Sequence, residues 1–138
     1  MNLIQIGPGE KELLRVFVEK LSRSSNAFRY FSSRPLDTIQ NHVLTLGYMM
    51  EGEIIAYGHL DKDGPNIWLG LAVLSEFRKK GLGKSMLQEL LRQGRSMSLG
   101  TIKLSVDKDN LAAYALYVNN GFGLLDEKPA YYIMSIDL

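Results

Sequence analysis

The run Ile67-Trp68-Leu69-Gly70-Leu71-Ala72-Val73-Leu74 contains no charged residue and only one polar group, the Trp68 indole. A strand with one wet face alternates polar and apolar residues, whereas a run apolar at nearly every position is covered on both faces. The segment therefore predicts the central strand of a sheet with helices on either side. Gly70 within it predicts a bulge or a close backbone approach. Next comes Arg78-Lys79-Lys80-Gly81-Leu82-Gly83-Lys84, basic, glycine-rich and free of acids. Leu82, Met86, Leu87, Leu90 and Leu91 then mark one face of a helix that runs to about Ser98 and closes at Gly100. Strand, glycine loop, helix is a recipe for holding phosphate: glycines admit the ligand to the backbone, and the N–H groups and dipole of the first helical turn attract anions.

The flanking chain reads as alternating elements. Leu3 to Ile6 predicts a strand ended by Gly7-Pro8-Gly9, and Leu13, Leu14, Phe17, Val18 and Leu21 form a helical stripe. Ser22 to Pro35 reads as an aromatic-rich loop, and Leu36 to His42 as a short second helix. Val43–Met50 and Ile54–Leu60 form a hairpin around Glu51-Gly52-Glu53, and Asp61 to Asn66 is a dense turn signal. Ile102, Leu104 and Val106 alternate as a strand. Asp107 to Asn110 is a turn suited to capping a helix over Leu111, Tyr114, Ala115 and Val118, which stops at Asn119-Asn120-Gly121. Phe122–Leu125 and Ala130–Ile136 are the last strands. The order β-α-(α)-β-β-β-α-β-α-β-β predicts a single α/β domain over residues 1–138 with a mixed sheet.

Composition narrows the chemistry. The 138 residues carry 16 Lys and Arg against 15 Asp and Glu, a net charge of +1, so nothing draws the chain as a whole to nucleic acid or to an anionic membrane. The absence of Cys excludes a thiolate nucleophile and Cys-ligated metal, and two His make a histidine-rich metal site unfavourable. No leader-like segment or membrane-length apolar run is present, which predicts a cytoplasmic protein.

The basic loop can be sorted by elimination. Gly83-Lys84-Ser85 ends like a phosphate-binding Walker loop, but the required first glycine position holds Arg78. A dinucleotide fingerprint starting at Gly81 and Gly83 would need a small third residue where Met86 stands. What remains is Arg78-x-x-Gly81-x-Gly83 after an apolar strand, beside the plainer reading of a glycine turn with solvated lysines.

This loop, together with the strand Ile102–Val106 and the segment Asn110-x-x-Ala113-x-x-x-Tyr117-x-x-x-Gly121-Phe122, resembles the GNAT superfamily of acetyl-coenzyme A-dependent N-acetyltransferases over residues 67 to about 136. The resemblance implies a mostly antiparallel, twisted sheet of six to seven strands with about four helices, splayed at its central strand. It implies that Arg78, Lys79, Lys80, Gly81, Leu82, Gly83 and Lys84 wrap the coenzyme pyrophosphate. It further implies that backbone groups of Leu71, Ala72 and Val73 meet the pantetheine arm, with Leu71 N–H polarising the thioester carbonyl. Asn110 is then a contact to the coenzyme arm as well as a helix cap, and Tyr117 is the general acid that protonates the leaving thiolate. Ile67 stands where some members carry a glutamate base. The nearest replacements are His59, an imidazole with an ordinary pKa of about 6.5, and Asp61. No metal is expected.

Phe28, Arg29 and Tyr30, with Phe31 and Arg34, suit an acceptor that stacks and carries an anion. A small primary amine such as a nucleotide-linked amino sugar fits them. The competing readings are acetylation of protein N-termini or lysines, and a catalytically silent coenzyme A-binding domain. Either a monomer or a homodimer is compatible with the sequence.

Overall fold

The computed structural model of the protein describes residues 1–24 and 42–138. Their strands are β1 (Asn2–Gln5), β2 (His42–Met50), β3 (Glu53–Asp63), β4 (Asn66–Val73), β5 (Thr101–Asp107), β6 (Gly123–Glu127) and β7 (Tyr131–Asp137). The α-helices among them are α1 (Lys11–Ser24), α2 (Leu82–Ser96) and α3 (Leu111–Asn119). The strands form one seven-stranded sheet in the order β1-β2-β3-β4-β5-β7-β6, antiparallel except where β4 meets β5. The mixed α/β architecture agrees with the sequence reading, and β4 is the middle strand. The expected helix over Leu36 to His42 lies outside the described residues, save that His42 itself begins β2.

Two expectations change. The polar stretch Asp61 to Asn66 is a turn only at Gly64-Pro65, because β3 continues to Asp63 and β4 starts at Asn66. The register between β3 and β4 runs without interruption from Ala56–Val73 to Asp63–Asn66, so Gly70 marks no bulge. Its cross-strand partner is His59, and the imidazole occupies the space that a side chain at residue 70 would need.

The two faces of the sheet bury different sets of side chains. On one, Leu14, Phe17 and Leu21 of α1 pack with Tyr57 and Ala72. Their spacing of three and four residues sets them on one helical stripe. On the other, Met86, Leu87, Leu90 and Leu91 of α2 pack with Leu60, Leu69, Ile102, Leu104 and Met134. Tyr117 of α3 joins this second core. The side-chain alternation of β3 thus sends Tyr57, His59 and Asp61 to the α1 face and Ala56, Gly58 and Leu60 to the α2 face. Among the described residues no helix is long and apolar enough to cross a membrane.

Helix α2 crosses the sheet at Gly58. A Cβ there would stand 2.7 Å from Leu90 Cδ1 and 2.8 Å from Met86 Cγ, both on wholly buried side chains. Gly58→Ala should therefore lower stability by about 1–3 kcal/mol through overpacking. Urea unfolding measures this, and an unchanged midpoint would contradict so close a seat for the helix.

Candidate active-site groove

The sheet is continuous on either side of its centre but nearly divided at it. β4 and β5 run parallel and share a single register position, Trp68–Lys103, after which they part. Each is fully paired on its other side, β4 with β3 and β5 with β7. The gap beyond Trp68 opens into a cavity of about 1030 Å³ bounded by β4, β5, α3 and the loop that leads into α2.

The ladder phase decides which backbone groups face the gap. Leu74 N–H donates to Ile55 C=O at 3.0 Å. Antiparallel pairing alternates, so Ala72 and Gly70 also turn their polar groups toward β3, while Leu71 and Val73 turn theirs away, toward the gap. The Val73 carbonyl accepts a hydrogen bond from Arg78 Nε at 3.1 Å. Leu71 N–H and C=O and Val73 N–H are the strand groups left facing the groove.

At the loop, Lys79 and Gly81 both take the left-handed conformation, with φ 62° and 83°. Glycine adopts it at no steric cost, whereas a lysine there is held by the tight turn around it. The turn delivers the chain to Leu82, and Ser85 N–H makes the first bond of α2, to Gly81 C=O at 3.0 Å. The amides of Leu82, Gly83 and Lys84 are thereby left without intrahelical acceptors. These residues, with Arg78 and Lys79, line one end of the cavity. A Cβ on Gly83 would lie 3.6 Å from Leu116 Cδ2 and 3.9 Å from Val73 Cγ2, so the missing side chain leaves open the passage between loop and α3. Lys80 is apart from this wall, with its ammonium 5.8 Å from the centre of the Phe77 ring. The turn that aims its neighbours inward aims Lys80 along the surface.

Helix α3 forms the opposite wall with Ala113, Leu116 and Tyr117, which stand at helical spacing. Its start is fixed by Asn110, whose side-chain oxygen accepts from Ala113 N–H at 3.2 Å. Asn110 also lines the cavity. Tyr117 is 7% exposed, and its ring meets Phe122 edge-on at 5.7 Å. Its hydroxyl has no partner among the described residues, yet no fully buried polar side-chain atom lacks one, so the hydroxyl opens onto the groove. Burial pushes the phenol pKa up, and Tyr117 keeps its proton throughout the neutral range.

The wall also holds Trp68 of β4 with Asp61 and Asp63 of β3 near the start of β4, and Asp107 and Asp109 at and beyond the end of β5. His59 and Asp61, only 1% and 2% exposed, are with Thr45 the buried polar residues among those described. Tyr57 Oη lies 2.8 Å from His59 Nδ1, and the His42 ring stacks on His59 at 4.5 Å. His42 Nδ1 is in turn 2.9 Å from Thr45 Oγ1. No group of three or more His, Cys, Asp or Glu among the described residues is placed to hold a metal ion.

The groove thus brings together Leu71, Ala72, Val73, the loop residues other than Lys80, Asn110, Tyr117, His59 and Asp61. Phe28, Arg29 and Tyr30 lie outside the described residues. Sequence reasoning quoted Ala113 only as part of the motif and passed over Leu116, although their helical spacing sets both beside Tyr117. It also passed over Asp63, Asp107 and Asp109, which read as turn residues.

Comparison with known proteins agrees with this architecture. The sequence model of the acetyltransferase (GNAT) family matches residues 12–122. A GNAT-family acetyltransferase from Streptococcus pneumoniae superposes with a TM-score of 0.82 at 17% identity, covering 99% of both chains. The ribosomal-protein-alanine N-acetyltransferase of Brucella melitensis superposes at 0.80 and 16% identity over all of both chains. The PaiA N-acetyltransferase of Thermoplasma acidophilum, solved in complex with coenzyme A, does so at 0.74 and 18% identity, again over all of both chains. No protein of curated function matches the sequence significantly. With the family match spanning most of the chain, the protein belongs to the GNAT acetyltransferase family.

Proposed function

We propose that the protein is an N-acetyltransferase that moves an acetyl group from acetyl-coenzyme A directly to a primary amine. The observation that carries this reading is the split between β4 and β5, with main-chain groups turned into it beside an uncapped, basic helix start. These residues fit the coenzyme. The amides of Leu82, Gly83 and Lys84, with the Arg78 and Lys79 side chains, supply N–H donors and positive charge for a pyrophosphate. Leu71 and Val73 offer a strand edge that an extended amide-bearing arm can pair with. The structural neighbour solved with coenzyme A supports the same assignment.

Acetyl-coenzyme A, when bound, supplies an activated acetyl thioester. The chain's own residues do the remaining work. Leu71 N–H is aimed into the groove to bind a carbonyl oxygen and stabilise the negative charge that develops on it. Tyr117 holds a proton next to the gap and donates it to the departing thiolate. His59, with Asp61 two residues along the same face, receives the proton that the acceptor ammonium must lose. No side chain in the chain is a thiolate, which favours direct transfer over an acyl-enzyme.

The acceptor is a small primary amine, for which Trp68 and Asp61 stand in the groove wall. A peptide amine is the second reading. It is supported by the likeness to a structure named as a ribosomal-protein-alanine N-acetyltransferase.

Calorimetric titration should show one acetyl-coenzyme A per chain. Reversing Lys79 and Lys84 to Glu should weaken that binding at least about tenfold without moving the unfolding midpoint. Absence of binding at millimolar coenzyme would overturn the proposal. Thiol release across a panel of small amines and short peptides then separates the two acceptor classes, and release with none of them would indicate a silent binding domain. Tyr117→Phe should cut kcat by about 10²-fold or more while leaving coenzyme affinity within about twofold. Equal losses in both would refute the acid role.

A further inference from the structure

Helix α2 begins without a side-chain cap. Its N-cap is Gly81, and the amides of Leu82, Gly83 and Lys84 are the ones a capping side chain would draw on. A ligand in the groove needs those amides free, yet helix ends without caps fray. Burial does not hold the loop that leads into the helix, since Arg78, Lys79, Lys80 and Gly81 are all exposed. The first turn is fastened from outside instead. Ser85 closes the Gly83-Lys84-Ser85 run that ends like a Walker loop, where the hydroxyl would go to a magnesium ion. Here Ser85 Oγ lies 2.5 Å from Tyr48 Oη, a residue 37 positions earlier in the chain. Tyr48 stands on β2 with its ring packed in the core of the α2 face, only 8% exposed. Phenylalanine would fill that core place as well, so the hydroxyl at its rim serves the contact with Ser85. Arg78 Nε holds the Val73 carbonyl, so the loop is tied to β4 before its turn and to β2 after it.

We propose that Tyr48 and Ser85 are positioning residues for the coenzyme: their paired hydroxyls keep the first turn of α2 formed while its three leading amides stay open to the pyrophosphate. The inference rests on the groove being the coenzyme A site of an N-acetyltransferase. A side-chain cap and a pyrophosphate compete for the same N–H groups, whereas a bond from Ser85 Oγ to the sheet uses none of them. Ser85 is also the first residue of α2 whose own N–H finds an acceptor in the helix, at Gly81 C=O, so the tie grips the turn just past the open amides. The ligand then meets a turn already ordered. A site formed only part of the time binds with an affinity reduced by that fraction. Loss of the tie therefore weakens the coenzyme, and bound coenzyme, by engaging the amides, restores the turn. Neither Tyr48 nor Ser85 lines the groove, so the transfer step itself does not depend on them.

The test uses the whole protein with Tyr48→Phe, Ser85→Ala and the two combined. In calorimetric titration with coenzyme A, each single variant should bind about three- to tenfold more weakly than the wild type, and the double variant no more weakly than either. With an amine that the wild type acetylates, the acetyl-coenzyme A KM should rise by the same factor while kcat at saturation stays within about twofold. Hydrogen exchange read by magnetic resonance adds a view of the turn itself. The amides of residues 85–87 should exchange faster in the free variants than in the free wild type, and equally slowly in all of them once coenzyme A is bound. Ser85→Ala alters an exposed residue and serves if Tyr48→Phe does not fold. Unchanged coenzyme affinity in the single variants, losses that multiply in the double variant, or exchange at residues 85–87 that the variants leave unaltered would overturn the proposal. The two readings stay distinct. A wild type that binds coenzyme A no better than its variants removes only the tie, whereas a wild type that binds none at millimolar concentration removes the acetyltransferase assignment beneath it.

Discussion

Everything in the groove depends on the single rung between Trp68 of β4 and Lys103 of β5. A sheet broken at its centre exposes main-chain groups that water or a ligand must satisfy, and each one left buried and unpaired costs free energy comparable to a lost hydrogen bond. The fold limits this cost by completing each half. β4 is paired along its whole length with β3, and β5 along its whole length with β7. Only the groups on the inner edges are exposed, and one of them, the Val73 carbonyl, is already taken by Arg78. The side chains of α2 join the halves beneath the gap, with Leu60 and Leu69 on one side and Ile102, Leu104 and Met134 on the other in a common core. The sheet is parted above and welded below.

The two candidate proton-handling groups come from opposite sides of that parted sheet. Tyr117 belongs to the core of the α2 face, and His59 to the α1 face. A site built across a sheet in this way separates donor and acceptor of protons without long loops. It also gives them different environments. The phenol opens from an apolar core onto the groove. The imidazole lies against Tyr57 and His42.

Much of this was legible in the sequence because the signals were local. The uninterrupted apolar run placed β4 at the centre, the leucine spacing placed α2, and Asn110 marked the start of α3 by its capping chemistry. The sequence misled where a residue's meaning came from a neighbour on another strand. Asp61 to Asn66 looked like a loop because turn residues and polar groove-facing residues are the same types. The strand holds because alternate side chains have a wall to line. Gly70 read as either a bulge or a close approach, and only the pairing decides for the second, with His59, eleven positions away, filling the space beside it. Lys80 could not be told from Lys79 and Lys84 until the left-handed turn at Lys79 and Gly81 was known.

The main-chain character of the donor side has a consequence for how such a site stores information. The N–H and C=O groups that Leu71 and Val73 turn toward the groove are ones that every residue except proline presents alike. Their side chains meanwhile pack against the core of the α2 face. Substitutions at Leu71 or Val73 that keep the amide hydrogen and the strand's register would leave those groups in place. That edge is thus carried by the course of the backbone, and chains sharing fewer than one residue in five keep the same fold.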